Sequence, residues 1–143
     1  MERIKKTNVE NTTLYLGPMS KNIVDAIIDY NTNVTNSVGI IASRRQVDFH
    51  KGYVNNWSTK SFVKYVKDIN PNIIVCRDHG GGGQGSMVDD GTFSLKIDAE
   101  YMDVIHIDPF KSSPLEVGVF YTIEMMTQCL DINPNCLFEI YLH

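Results

Sequence analysis

The chain has 143 residues, 43% of them hydrophobic and 21% charged, with a formal net charge of −4. Those values describe one ordinary globular domain with its own core, residues 1–143. The acidic balance excludes a general nucleic-acid or anionic-membrane binder, which needs a cationic surface to replace phosphate counterions, so a small molecule is the expected partner. Val38 to Ala42 and Asn72 to Cys76, the longest apolar stretches, fall far short of the roughly 20 residues that span a bilayer. The start Met1-Glu2-Arg3-Ile4-Lys5-Lys6 leads into polar residues instead of an apolar signal core, so the expected compartment is the cytoplasm.

Leu14 to Leu16 reads as a first strand closed by Gly17-Pro18, and Ser20 is placed to cap a helix over Asn22 to Asp29. Val38 to Ala42 has no alternation, as expected of a strand buried on both faces, and it stops at Ser43-Arg44-Arg45-Gln46. Val47 to Trp57 is too polar and turn-rich for a regular element. Ser58 or Thr59 then caps a helical pattern through Phe62, Val63, Tyr65, Val66 and Ile69, which Asn70-Pro71-Asn72 ends.

A third buried strand, Ile73 to Cys76, runs into Arg77-Asp78-His79 and the glycines Gly80 to Gly83. The spacing predicts a helix over Ser94 to Tyr101 and a fourth strand over Val104 to Ile107, followed by Asp108-Pro109-Phe110-Lys111. Pro114 suits the first turn of a long helix through Leu130, and Cys136 to Ile140 forms a fifth strand. Cys76, Cys129 and Cys136 are odd in number, widely spaced and set among apolar residues, which makes them buried small hydrophobes instead of a disulfide framework.

Strands alternating with helices predict an α/β fold with a parallel sheet and right-handed crossovers. Two architectures fit: an open doubly wound sheet, or part of a (β/α)₈ barrel, which takes around 250 residues when complete. Polar residues follow at least three successive strands instead of gathering at one crossover, which favours a partial barrel of five strands.

In such folds the active site lies at the carboxyl ends of the strands, where loops and helix N-termini converge. The candidates are therefore Ser43, Arg44, Arg45, Gln46, Arg77, Asp78, His79, the glycines after it with Gly81 among them, Asp108, Lys111 and Glu139, and the basic cluster of Arg44-Arg45 with Arg77 is able to hold one phosphate or carboxylate. Asp78-His79 is the strongest pair, because an acid beside an imidazole supplies a general base and a metal ligand. Both facing one pocket requires the chain to have left the strand, since side chains alternate with a period of two. The glycine run either brings backbone N–H groups to a phosphate or forms a loop, and it lacks the Lys-Ser/Thr of a P-loop. His106, within an apolar strand, reads as a hydrogen-bonded core histidine. Glu139 either faces a polar barrel interior or marks a poorly formed strand.

Ser43-Arg44-Arg45-Gln46-Val47 with Gly52-Tyr53, then Cys76-Arg77-Asp78-His79-Gly80, then His106-Ile107-Asp108-Pro109, resemble the first half of the barrel in the tagatose-1,6-bisphosphate aldolase subunit family, related to class II aldolases. The resemblance spans Leu14 to Ile140. It implies a divalent metal, zinc, that polarises a carbonyl of a phosphorylated sugar for carbon–carbon cleavage. It also implies Asp78 as the proton-transfer group, His79 as a metal ligand, Asp108 and Glu139 at the metal pocket, and Arg44 and Arg77 on substrate phosphate or hydroxyls. Histidines that complete the metal site in catalytic class II aldolases are missing, and some members of the family are companions of a catalytic partner subunit. A half barrel leaves two sheet edges unpaired, which predicts a homo-oligomer or a truncated product of poor stability. Carbohydrate or phosphosugar binding without turnover, and an inactive remnant, are the competing expectations.

Overall fold

In the computed structural model, residues 9–34, 37–85, 90–109 and 114–140 are described. Five strands, β1 (Leu14–Leu16), β2 (Val38–Ser43), β3 (Val75–Gly80), β4 (Val104–Ile107) and β5 (Leu137–Ile140), alternate with helices α1 (Lys21–Asn33), α2 (Thr59–Ile69), α3 (Thr92–Tyr101) and α4 (Leu115–Ile132). The strands form one all-parallel sheet in sequence order, β1-β2-β3-β4-β5, and it does not close. Each helix touches the next, and all four lie on one face. A doubly wound sheet reverses its strand order at a switch point. Here the order never reverses, which is consistent with the winding of a partial barrel.

The expected caps form. Ser20 accepts a hydrogen bond from the Ile23 amide, and Ser58 and Ser61 make a reciprocal capping box at the start of α2. Packing of each amphipathic helix against the sheet then supplies the core. Val24, Ile27 and Ile28 of α1 meet Ile40 and Ala42 of β2, Val75 of β3, and Phe62, Val63 and Val66 of α2 in one cluster. Leu95 and Ala99 of α3 meet Ile105 and Ile107 of β4 with Met125 and Cys129 of α4 in a second. The three cysteines are free and buried, as their surroundings predict.

Strand register assigns every side chain to a face. Ala42 aligns with Arg77, Arg77 with Ile105 and Ile105 with Phe138, and this row faces the helices. The alternate residues Ser43, Asp78, His106 and Glu139 occupy the opposite, concave face, with Ser43 beside Asp78 and His106 beside Glu139. On the same face, Tyr15 lies over Gly39, where a Cβ would stand 2.5 Å from its ring. Burial, ahead of the nearby Cys76, pushes the Tyr15 phenol up to about 12.

β3 differs from expectation. Ile73 and Ile74 are buried but precede the strand, which runs through Arg77, Asp78 and His79 to Gly80. Its register against β4 shifts between Arg77 and Gly80, and His79 has a left-handed φ of 46°. This bulge breaks the alternation of side chains. Among the described residues, no helix is long and apolar enough to cross a membrane.

Candidate metal centre

The site is built on the carboxyl ends of β3 and β4. Period two directs Asp78 to the concave face, and the bulge turns His79 toward it as well, so adjacent residues serve one pocket. His106 reaches the same face because it alternates with Ile105 and Ile107, both turned to the helices. The His79 and His106 rings stand 4.5 Å apart between centroids.

His79 Nδ1 is 2.6 Å from Asp108 Oδ2, and Gln84 Nε2 donates to the same carboxylate oxygen at 3.1 Å. With its Nδ1 proton on Asp108, His79 presents Nε2 as a lone pair, 3.6 Å from Asp78 Oδ1. Ligand atoms of Asp78, His79 and His106 all lie within 4.8 Å of one another. In a tetrahedral site with bonds of about 2.0–2.1 Å, ligand atoms stand about 3.3 Å apart, so a metal ion fits with only a small closing of the group. A carboxylate that orients a ligating imidazole through its other nitrogen is the usual outer shell of such centres.

The electrostatics agree with ligation. Burial first, then the neighbouring His79, lowers the His106 pKa against the opposing pull of Glu139, Asp108 and Asp78. Its imidazole is thereby held in the neutral form that binds metals. His106 Nε2 is shut off from solvent, whereas the His79 and Asp78 side chains are 48% and 37% exposed. The centre therefore has a buried side and an open side.

The structure distributes the remaining expected residues unevenly. Ser43 sits beside Asp78 on the concave face, and its N–H donates to Gln46 Oε1 at 2.9 Å. Gln46 is buried, folded back on the end of β2 instead of reaching outward. Gly81, at φ 132°, packs so closely that a Cβ would stand 2.8 Å from the Asp108 carbonyl oxygen. Gly91, the N-cap of α3, would place a Cβ 2.2 Å from the carbonyl carbon of Gly81. Lys111 lies outside the described residues.

Of the three arginines expected to hold an anion, Arg45 is exposed, whereas Arg44 and Arg77 are buried in ion pairs. Arg77 is fully buried on the helix face, with Nε and Nη2 on Asp98 at 2.7 Å each and Nη1 on the carbonyls of Ala42 and Val47. It aligns with Ala42, so parity turns it away from the concave face, and substrate contact is ruled out by that geometry. Arg44 is buried too, with Nε and Nη2 on Asp48 and Nη1 on the carbonyl of Gly81 at 3.0 Å. Its expected role gives way to a structural one because a partner carboxylate already neutralises it.

His106 is the member of this cluster that sequence reasoning missed by reading it as a core histidine. Strict alternation with Ile105 and Ile107 is the signal that sets it on the other face. Glu139, the second expected metal ligand, is exposed and next to His106 in register, but it is not among the three clustered ligands. No protein-family model and no curated protein matches the chain.

Proposed function

We propose that this protein holds a divalent metal, zinc, on His79, His106 and Asp78, and uses it in aldol-type cleavage of a phosphorylated sugar. The observation that carries the proposal is the Asp108–His79 pair, which aims His79 Nε2 at Asp78 beside His106. Two imidazoles and one carboxylate make a donor set used in catalytic zinc centres, which keep a further position open. Bound there, the metal would supply the Lewis acidity that polarises a carbonyl oxygen.

The protein's own groups provide the rest. Asp108 fixes the His79 tautomer, and Asp78, whose Oδ1 is 3.6 Å from His79 Nε2, would serve as a ligand in this reading in place of the proton-transfer role expected of it. Glu139, exposed beside His106, is the carboxylate available for proton transfer. The sheet arc leaves β1 and β5 as edges, and α4 exposes Val119, Phe120 and Ile123, which supports pairing with a second copy or with a catalytic partner subunit.

Metal content of the purified protein, measured by plasma mass spectrometry beside His79→Ala and His106→Ala variants, tests the reading. Near-stoichiometric zinc in the wild type and its loss in both variants is the expected result. Equal metal in all three, or none in any, refutes the centre. Stabilisation by a sugar phosphate without product would leave binding and remove cleavage.

A further inference from the structure

With Arg44 and Arg77 both held by carboxylates, recognition of an anion falls to other cations. The loop between β2 and α2 forms an open cavity of about 590 Å³, lined by Arg45, Phe49, His50, Lys51, Tyr53 and Asn56 among others. We propose that this groove binds the phosphate group of a small phosphate monoester, with Arg45 and Lys51 as the two cations that hold it. The proposal that this is the phosphate of the sugar cleaved at the metal centre rests on the function proposed above. The groove itself stands on its own geometry.

Charge is the first argument. Asp48 is the carboxylate in the lining, and it already accepts from Arg44 Nε and Nη2, from Ser94 Oγ and from the Phe49 amide. Arg45 and Lys51 are exposed, and neither side chain meets a carboxylate among the described residues. Two cations with no carboxylate partner among the described residues, at one cavity in a chain of net charge −4, match a phosphate dianion, Arg offering a planar fork and Lys a point charge. Two cations are too few for a nucleic-acid backbone, whose binders neutralise many phosphates.

Rigidity is the second. The Tyr53 amide donates to the Arg45 carbonyl and the Val54 amide to the Gln46 carbonyl, at 3.0 and 3.1 Å. The Gly52 amide donates to the Trp57 carbonyl, and a Cβ on Gly52 would lie 2.0 Å from the Gln46 carbonyl oxygen. Phe49 is braced edge-on against Phe93 at 5.0 Å. The walls are thus preformed, and Phe49 and Tyr53 offer aromatic faces to the carbon skeleton of an ester.

Position is the third. Arg44 lines the groove and, through Nη1, holds the carbonyl of Gly81, two residues past His79. The groove therefore adjoins the chain just past His79.

Calorimetric titration of the full chain with glycerol 3-phosphate at low ionic strength, with glycerol as the uncharged control, tests the proposal. Binding of the ester and not of glycerol is expected, and Arg45→Gln and Lys51→Gln should each weaken it by about tenfold or more, as loss of a charged hydrogen-bond donor does. Wild-type thermal unfolding of both variants would verify their folding. The His79→Ala variant should bind the ester as the wild type does, even where its metal is lost, which separates this site from the metal centre. Failure of the wild type to bind, or wild-type affinity in the Arg45→Gln/Lys51→Gln double variant, would overturn the groove. So would loss of binding confined to His79→Ala, which would move the anion to the strand ends.

Discussion

Replacing Asp98 by alanine isolates the contribution of a fully buried ion pair. Arg77 and Asp98 are both 0% exposed, and all five guanidinium N–H groups are used: two on Asp98, two on the Ala42 and Val47 carbonyls and one on Thr59 Oγ1. Asp98→Ala leaves a guanidinium in the core with its counter-charge gone. Breaking one side of a buried pair costs about 3–5 kcal/mol, a large part of the about 5–15 kcal/mol that stabilises a domain. With a urea slope of about 2 kcal/mol/M, the unfolding midpoint followed by circular dichroism should fall by about 2 M. Lys64–Asp68 is the control, an ion pair of similar length, 2.6 Å, whose side chains are 68% and 59% exposed. Asp68→Ala should cost about 0.5 kcal/mol or less, because solvent screens the charge and nothing is buried by forming the pair. Equal losses in the two variants, or a loss below about 1 kcal/mol for Asp98→Ala, would refute the argument that burial and not distance decides the cost.

Two further expectations concern the metal centre and the buried acids. Asp108→Ala frees the His79 ring to rotate and should lower zinc affinity by about 10- to 100-fold in competition with a chromophoric chelator, and unchanged affinity would deny Asp108 its orienting role. The Cys129 thiol is pushed up to about 12 by burial, then by Cys136, and burial raises Cys76 and Tyr15 as well. Above the ordinary values of 9.0 for thiols and 10.0 for the phenol, the unfolded chain releases protons that the folded chain keeps. The folded state then binds more protons, so stability is complete below about pH 9 and falls as pH rises toward about 12. Urea midpoints that stay level across that range would contradict this sign.

The order of elements was legible in the sequence because buried parallel strands announce themselves as unbroken apolar runs, and each run here is bounded by turn residues. Leu14–Leu16 and Val104–Ile107 have the expected limits, and the Ser20 and Ser58 caps form as their hydroxyls predict. The boundaries of β3 were not legible. Ile73-Ile74 looks like strand but precedes it, while the polar Arg77 and Asp78 pair with Ala42 and Ser43 of β2 and the strand continues past a bulge at His79 to Gly80. Arg77 shows why a charged residue after an apolar run is an incomplete signal. Its destination depends on a carboxylate 21 residues later in α3, which only the three-dimensional packing reveals. The same limit applies to His79, whose place in the site requires a bulge that its sequence does not specify, whereas His106 was within reach of period two alone.

Gly91, Gly81 and Asp108 form a stack of three main chains, with the first glycine against the second and the second against the carbonyl beside the carboxylate that grips His79. A methyl group at position 91 would thus press on the imidazole through two layers of backbone, without a side chain of its own near the site. Such a lesion has no simple suppressor. Trimming a neighbour relieves a clash only when the neighbour's side chain is the obstacle, and here the obstacles are peptide atoms that every residue type shares. In a library of paired substitutions, position 91 should therefore show loss that no companion change at 81 or 108 repairs.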